Sequence, residues 1–278
     1  MGILNITPDS FSDGGLFVDS GAALQHVDKM VKAGADIIDI GGESTRPYAL
    51  PVSVDEELSR VCPLIEAVRK RWDVWVSVDT YKAEVAREAV RLGAEIINDI
   101  TALRQDPAML DVLRSYDTPV ILMHMQGLPR TMQVNPHYDD VVSEIVAFFR
   151  ERIKWCKERG IREENLIIDP GIGFGKDLQH NLALLRAIDD FRSLGRPVLI
   201  GASRKSFLGK ILPLNDNEKD MATQAVSAVA VWQGASIIRV HDVRSAVCTV
   251  RIVEAIKNGR GLTAEHAENV EKSVLSSL

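Results

Sequence analysis

Eight short apolar runs, separated by helix-length intervals, constrain this chain more than any other feature of it. They cover residues 2–6, 36–40, 74–78, 95–98, 119–123, 166–169, 197–201 and 236–240. Most are near-continuous Val, Ile and Leu rather than an alternation with polar residues. That is the pattern of strands buried on both faces, as in a parallel sheet. The intervals read as helices. Ala22, Ala23, Val27, Met30 and Val31 make one apolar stripe at helical spacing. Ser53 with Glu56 reads as a capping box opening a helix over 54–70. Asp106-Pro107 supplies an N-cap and a first-turn proline before 109–116, and the longest helix is expected over 139–159. The phrase Gly-Ala-x-Ile-Ile occurs three times, at Gly34, Gly93 and Gly234. Glycine there stops a helix in a left-handed cap and the next residues begin a strand, so a βα unit is being repeated.

Eight such units form a closed barrel or an open doubly wound sheet. The Gly-x-Gly-x-x-Gly fingerprint is absent after the first run, and the order of elements favours the barrel. One barrel takes about 250 residues, and the chain has 278. The expectation is an α/β fold, a (β/α)8 TIM barrel over 1–258, with its active site at the C-terminal ends of the strands. Residues 259–278 form a polar tail, a short helix or disordered.

A net charge of −6 gives a nucleic-acid partner no electrostatic encouragement. Cys62, Cys156 and Cys248 lie far apart with no Cys-x-x-Cys pair, which argues against a zinc ribbon, suits a reducing compartment and reads as helix cysteines buried in packing. The start lacks the basic and apolar regions of a signal peptide, no run approaches a membrane span, and Ile6 stands where a myristoylation signal needs Ser or Thr. The expected location is cytoplasmic, with no membrane partner.

Every run delivers something polar to the same rim. The first ends at Asn5, before the hydroxyl- and glycine-rich segment 7–15. The second ends at Asp39, before Gly41-Gly42-Glu43-Ser44-Thr45-Arg46-Pro47. The third ends at Asp79, the fourth at Asn98-Asp99, the fifth at His124 and the sixth at Asp169-Pro170-Gly171. The seventh leads to Ser203-Arg204-Lys205, and the eighth ends at Arg239 and His241. Converging Asp79, Asn98, Asp169 and Lys205 would be costly if unpaired. A flat heterocycle with several N–H donors and one carbonyl would satisfy them, since a carboxylate accepts two parallel bonds from a guanidine-like edge. Arg46, Arg239, His241 and the first loop suit an anion such as diphosphate, and the Asn5 carbonyl oxygen suits a hard magnesium ion. Taken singly, each has a plainer reading. Strand-end carboxylates cap helices or pair with arginines, Lys205 is a solvated lysine, and His124 is a loop or wall residue. Their agreement on one rim favours a site. The segment 169–176 is not a P-loop, because its glycine spacing is wrong and Asp177 stands where the hydroxyl belongs. It reads as a tight βα turn with Phe174 facing the pocket.

The motifs GILNITPDSFSDGG (2–15), IIDIGGESTRP (37–47), SVDT (77–80), IINDI (96–100), LMHMQ (122–126), IIDPGIGFG (167–175), SRK (203–205) and IRVHDV (238–243) occur together in one order. With them the chain resembles the dihydropteroate synthases over almost its whole length. The resemblance implies joining of a dihydropterin diphosphate to p-aminobenzoate, with diphosphate leaving and magnesium as cofactor. It implies catalytic roles for Asp79, Lys205, Arg239 and His241. The pterin set is Asp79, Asn98, Met123, Asp169, Phe174, Gly201, Lys205 and Arg239. Asn5, Arg46, Arg239 and His241 are implied for diphosphate, Asn5 carrying the metal. Phe11, Thr45, Arg46, Pro47 and Ser203 are implied for p-aminobenzoate, which makes sulfonamides possible competitors. A homodimer is expected through helices of the last third, on the small and apolar segment 221–232.

Two features depart from the family. Met1 stands almost on the first strand, where members carry an extension or hairpin at the barrel's bottom, an expectation that bears on stability and not on chemistry. Tyr48 replaces a small residue after Arg46-Pro47. The rival readings are a methyltetrahydrofolate:corrinoid methyltransferase-like enzyme, which has no need of the diphosphate residues, and a non-catalytic pterin-binding protein, which has no use for both substrate sides.

Overall fold

The computed structural model describes residues 1–6, 20–45, 49–127 and 129–259. Strands and helices alternate as expected: β1 (Gly2–Asn5), α1 (Ser20–Lys32), β2 (Ile37–Gly41), α2 (Val54–Arg71), β3 (Trp75–Asp79), α3 (Ala83–Arg91), β4 (Ile96–Asp99), α4 (Met109–Tyr116), β5 (Val120–Met123), α5 (Val141–Glu158) and β6 (Leu166–Asp169). Two helices follow β6, α6 (Leu178–Arg186) and α7 (Ile188–Arg192). Then come β7 (Leu199–Ile200), α8 (Ser206–Ile211), α9 (Asp216–Trp232), β8 (Ile237–Ile238) and α10 (Val243–Asn258). Gly259 ends α10 in a left-handed cap (φ +59°), and residues 260–278 lie outside the described residues.

Among the described residues all strand pairing is parallel. β1 to β6 form one ladder and β7 with β8 a second. Single parallel bridges, Ile168 to Val198 and Val240 to Gly2, join the two at both seams, so the strand order returns on itself as a TIM barrel does. β7 and β8 are shorter than the runs that announced them. Pro197 has no N–H to give the ladder, and beyond Ile200 and Ile238 pairing continues only as single bonds such as Arg239 N–H to Ile200 O at 3.0 Å.

Alternation along the strands layers the barrel interior. Ile96, Ile121, Ile167 and Leu199 form an inner apolar cluster, with Ile37 and Ile237 packed on it. Two residues further along the same strands stand Asn98, Met123, Asp169, Gly201, Asp39 and Arg239. An apolar floor thus lies one layer below a mostly polar one. The intervening residues, among them Ile38, Val78, Ile97, Leu122 and Ile168, face outward into the main core against the helices.

Gly34, Gly93 and Gly234 all have positive φ, +93°, +108° and +91°, as the repeated phrase requires. Two caps differ from expectation. Ser53 Oγ accepts Glu56 N–H at 3.2 Å, but the Glu56 carboxylate turns to Arg60, so only half of the capping box forms. Asp106 accepts from Ala108 N–H (3.0 Å) and also from Ala83 N–H (2.8 Å), tying the start of α4 to α3. The cysteines all lie on helices, but only Cys156 is buried; Cys62 is half-buried and Cys248 exposed.

Candidate active site

Arg239, at the end of β8, is the centre of the polar layer. Its Nε donates to Asp39 Oδ2 at 2.6 Å and its Nη2 to Asp79 Oδ2 at 2.7 Å, so one guanidinium spans the carboxylates of β2 and β3. Asn98 Nδ2 donates to the same Asp39 oxygen at 3.2 Å, and the other Asp39 oxygen is buried without a partner. Burial pushes the Asp79 carboxyl up to about 7; Arg239 opposes this but is shared with Asp39, which itself pushes Asp79 up. Asp39, a rim residue in the sequence, joins the site in the structure. The signal was there, a carboxylate inside the apolar run Ile37–Gly41.

Asp169 ends β6, and its Oδ1 accepts Gly171 N–H at 2.7 Å. Burial raises its pKa, against the pull of that hydrogen bond and of Lys205, Arg239 and Lys176. Lys205 lies with its ammonium 4.0 Å from the centre of the Phe174 ring. Desolvation lowers it to about 8, with Arg239 adding to the fall while Asp169 and Asp79 resist it. Phe174 and Met123 are buried together with Ile100, Met125 and Met132. A Cβ on Gly201 would lie 3.9 Å from both Arg239 Cβ and Asp169 Oδ2, so that glycine stands beside two members of the polar layer.

On the other side, Ser203 Oγ meets His241 Nδ1 at 2.9 Å and accepts His241 N–H at 3.2 Å. Burial, then Arg204 and Arg239, lower the His241 pKa to about 4, so the imidazole is neutral near pH 7. Asn5 is half-buried at the end of β1, and a Cβ on Gly41 would lie 3.6 Å from Asn5 Oδ1 and 3.7 Å from Asp79 Oδ2. Thr45 is half-buried. Phe11, Arg46, Pro47 and Tyr48 lie outside the described residues.

Several rim residues do structural work. Asp99 accepts three bonds from Thr101 and Leu103, holding the turn after β4. Arg204 grips Asp220 with two bonds of 2.7 Å. His124 is a wall residue, its ring edge-on to Phe148 and its Nδ1 3.1 Å from Lys176 Nζ. Lys176, which ends the segment that lacks P-loop spacing, is buried and also donates to Phe174 O (2.8 Å) and His124 O (3.3 Å). Equally unforeseen is the cluster at the base of the loop after β2. Lys82 donates to Glu43 (2.7 Å), Glu57 (2.5 Å) and Val52 O (2.7 Å), and Tyr81 to Glu43 (2.9 Å). Lys82 directly follows SVDT and Tyr81, and Glu43 lies inside the GGESTRP segment, so the motifs contained the pair without its pairing.

The arrangement is an apolar floor under a layer of carboxylates and an amide, with Arg239 bridging two of the carboxylates and with Lys205 and a neutral imidazole on the segments after β7 and β8. The model of the pterin binding enzymes matches residues 1–241. A dihydropteroate synthase of Escherichia coli is 51% identical over 255 residues, covering 92% of this chain and 90% of that protein. The Yersinia pestis dihydropteroate synthase, solved as a sulfonamide drug complex, superimposes with a TM-score of 0.87 at 47% identity, covering 93% of each chain. That of Xanthomonas albilineans, solved with 4-aminobenzoic acid, gives 0.86 at 44% identity over 92% of each. The chain therefore belongs to the pterin binding enzymes and, among them, to the dihydropteroate synthases.

Proposed function

We propose that the chain condenses 6-hydroxymethyl-7,8-dihydropterin diphosphate with p-aminobenzoate, giving 7,8-dihydropteroate and diphosphate. The observation that carries this reading is the layer of Asp39, Asp79, Asn98 and Asp169 set over an apolar floor and crossed by Arg239. A flat ring fits above the floor, its N–H edge facing Asp169 and its neighbours. The Lys205 ammonium donates to the ring carbonyl, and Met123, Phe174 and Gly201 shape the slot. The C–O bond between the pterin methylene and diphosphate breaks, the electron pair leaving with diphosphate. The arylamine lone pair then forms the C–N bond and its proton passes to solvent. Asp79 faces the developing positive charge, and preorganised groups at such a place need no rearrangement during reaction. Arg239 receives the leaving diphosphate as a cation. His241, being neutral, receives it as a hydrogen-bond donor through Nε2–H, with Nδ1 occupied by Ser203. On this reading Phe11, Thr45, Arg46, Pro47 and Ser203 form the p-aminobenzoate side, which sulfonamides would share.

Magnesium is part of the proposal. Among the described residues no cluster of three or more His, Cys, Asp or Glu could cage a metal. Magnesium is commonly held by few protein oxygens together with substrate phosphates, and a single amide oxygen beside Asp79 suits that manner of binding. Asn5 would hold it, and it would screen leaving-group charge. A homodimer is also proposed, through α9 and α10. Met221, Val229 and Trp232 on α9 and Ile252 and Ile256 on α10 are each at least half exposed, an apolar face that a second copy would cover. Unpaired cysteines suit the cytoplasm. Among the described residues, no helix is long and apolar enough to cross a membrane. A coupled diphosphate-release assay tests the reaction: release is expected to depend on p-aminobenzoate, and its absence with both substrates present refutes the reading. Light scattering giving 30.7 kDa at micromolar concentration would refute the dimer.

A further inference from the structure

We propose that Lys176 is a positioning residue for pterin recognition, a buried cation that locks the turn after β6 onto the end of β5 and thereby sets the charge and aim of the Asp169 carboxylate. This role rests on the pterin reading of the site.

The two turns meet backbone to backbone. His124 N–H donates to Asp169 O at 2.9 Å. A Cβ on Gly171 would fall 2.0 Å from His124 O, and one on Gly175 would fall 2.6 Å from Gln126 O. Glycine is required at both positions, whose φ values are +70° and +62°. Such close packing leaves carbonyl groups facing inward, and buried carbonyls need donors. Lys176, 2% exposed, supplies them to Phe174 O and His124 O, and its third N–H reaches His124 Nδ1. An ammonium has three donors and no acceptor, so all three are used. The His124 ring can accept because burial, with Lys176 and Arg104 beside it, holds its pKa well below the ordinary range.

Three cations act on Asp169: Lys205, Arg239 and Lys176. Lys205 and Arg239 are assigned to substrate. Among the described residues the Lys176 side chain bonds to the two turns and to neither Lys205 nor Arg239, so the charge it carries when protonated belongs to the turns and not to the substrate. The groups acting on Lys176 in turn are Asp169 from β6, Lys205 from the loop after β7 and His124 from β5. Burial, with Lys205 adding to the effect, lowers the Lys176 pKa to about 7 while Asp169 resists it. A turn staple alone would not change how the Asp169 carboxyl titrates. A charge behind it would.

The test is calorimetric titration of Lys176→Met and Lys176→Gln with 6-hydroxymethylpterin between about pH 5 and 8, beside the unaltered protein. Expected at neutral pH is roughly tenfold weaker pterin binding, with the part of its acid limb that Asp169→Asn abolishes moved to higher pH in both variants and the part due to Asp79 unmoved. The KM for p-aminobenzoate is expected to stay within about twofold, because only the pterin side is touched. In an Asp169→Asn background, adding Lys176→Met is expected to change pterin affinity by less than about twofold. An unmoved acid limb, or equal losses with and without Asp169, overturns the role. Should neither variant fold, the Lys176 Cε resonance of the unaltered protein decides. Its titration shifts on adding pterin and not p-aminobenzoate if the role is right, and stays put under both if it is wrong. Unaltered protein that binds no pterin overturns the reading of the site, and this role with it.

Discussion

The acceptors and the donors of the site stand on differently built parts of the barrel. Asp39, Asp79, Asn98 and Asp169 lie on strands of four or five residues within the continuous β1–β6 ladder. Ser203, Lys205, Arg239 and His241 follow two-residue strands joined to the rest by single bridges. Ladder hydrogen bonds therefore place the backbone under each carboxylate whether or not its side chain is paired. The donors are aimed by tertiary contacts: Arg239 by its two carboxylates, His241 by Ser203, and the backbone before Lys205 by Arg204. Arg204 takes a left-handed conformation (φ +55°) and is held by Asp220 and by Thr223, whose hydroxyl accepts its N–H at 3.1 Å. Removing an acceptor that holds no ion pair, such as Asp169, should therefore change recognition and little else, whereas removing the donor Arg239, paired with Asp39 and Asp79, should also change stability.

The largest effect expected on pterin affinity tests the first half of that contrast. Asp169→Asn replaces an acceptor with an amide that presents its own donors to the ring N–H groups, at about 1–3 kcal/mol for each donor left unpaired. Pterin affinity is expected to fall at least tenfold, which is about 1.4 kcal/mol, with the unfolding midpoint nearly unchanged. Wild-type affinity by calorimetry would end the assignment, and a large loss of stability would end the comparison.

Arg239→Ala tests the second half. It leaves Asp39, which is fully buried, and Asp79 without their cation. Breaking a buried pair from one side costs about 3–5 kcal/mol, and urea unfolding should show a loss of that order. Binding should fail selectively: the diphosphate-bearing pterin should weaken far more than the bare pterin alcohol. Equal losses for both ligands would remove Arg239 from the leaving-group side.

The pH profile sharpens the comparison, because one acceptor and one donor titrate on either side of neutrality. The Asp79 carboxyl, raised to about 7 chiefly by burial, acquires its proton as pH falls through that value and ceases to be an anion. The Lys205 ammonium, lowered to about 8 chiefly by burial, loses its proton as pH rises through that value and has less to donate. The kcat/KM for the pterin diphosphate reports the free enzyme and should be bell-shaped, with limbs at those two values. Lys205→Arg keeps a cation that does not deprotonate in this range. It should remove the alkaline limb and spare the acid one.

Much of this was legible in the residues, and what was missed has a common cause. The eight strands could be read because both faces of each are buried, leaving runs such as Val120–Met123 with no polar residue at all. Asp79, Asn98 and Asp169 could be read because a polar residue ends such a run. Asp39 was harder, since it sits within its strand and only the two-residue offset from the floor residue Ile37 shows that it faces inward. Lys176 and Lys82 were not legible as partners. Each is a long side chain whose acceptors lie far away in sequence, His124 being 52 positions from Lys176 and Glu43 being 39 from Lys82. A charged residue at the start of a helix reads as solvated until the neighbouring strand end is in place.

The smallest expected effect concerns the cluster beneath the loop after β2. Glu43 Oε2 takes Lys82 Nζ at 2.7 Å and Val52 N–H at 3.1 Å, while Oε1 takes the Tyr81 hydroxyl at 2.9 Å. Glu43 opens the loop and Val52 closes it, so one carboxylate ties both ends to the segment after β3. Between them lie Thr45, Arg46 and Pro47, assigned to p-aminobenzoate. Glu43→Gln keeps the size and one acceptor but can no longer take all three donors as a charged group. Bonds to a charged group are worth about 1.5–3 kcal/mol and neutral ones about 1. The Lys82 ammonium keeps Glu57 and Val52 O, so the fold should survive. What should suffer is the aim of the loop: the KM for p-aminobenzoate should rise by roughly threefold to tenfold, up to about 1.4 kcal/mol, with pterin affinity unchanged. A rise in both would mean that the cluster supports Asp79 through β3, and the arylamine side would then share its foundation with the acceptors.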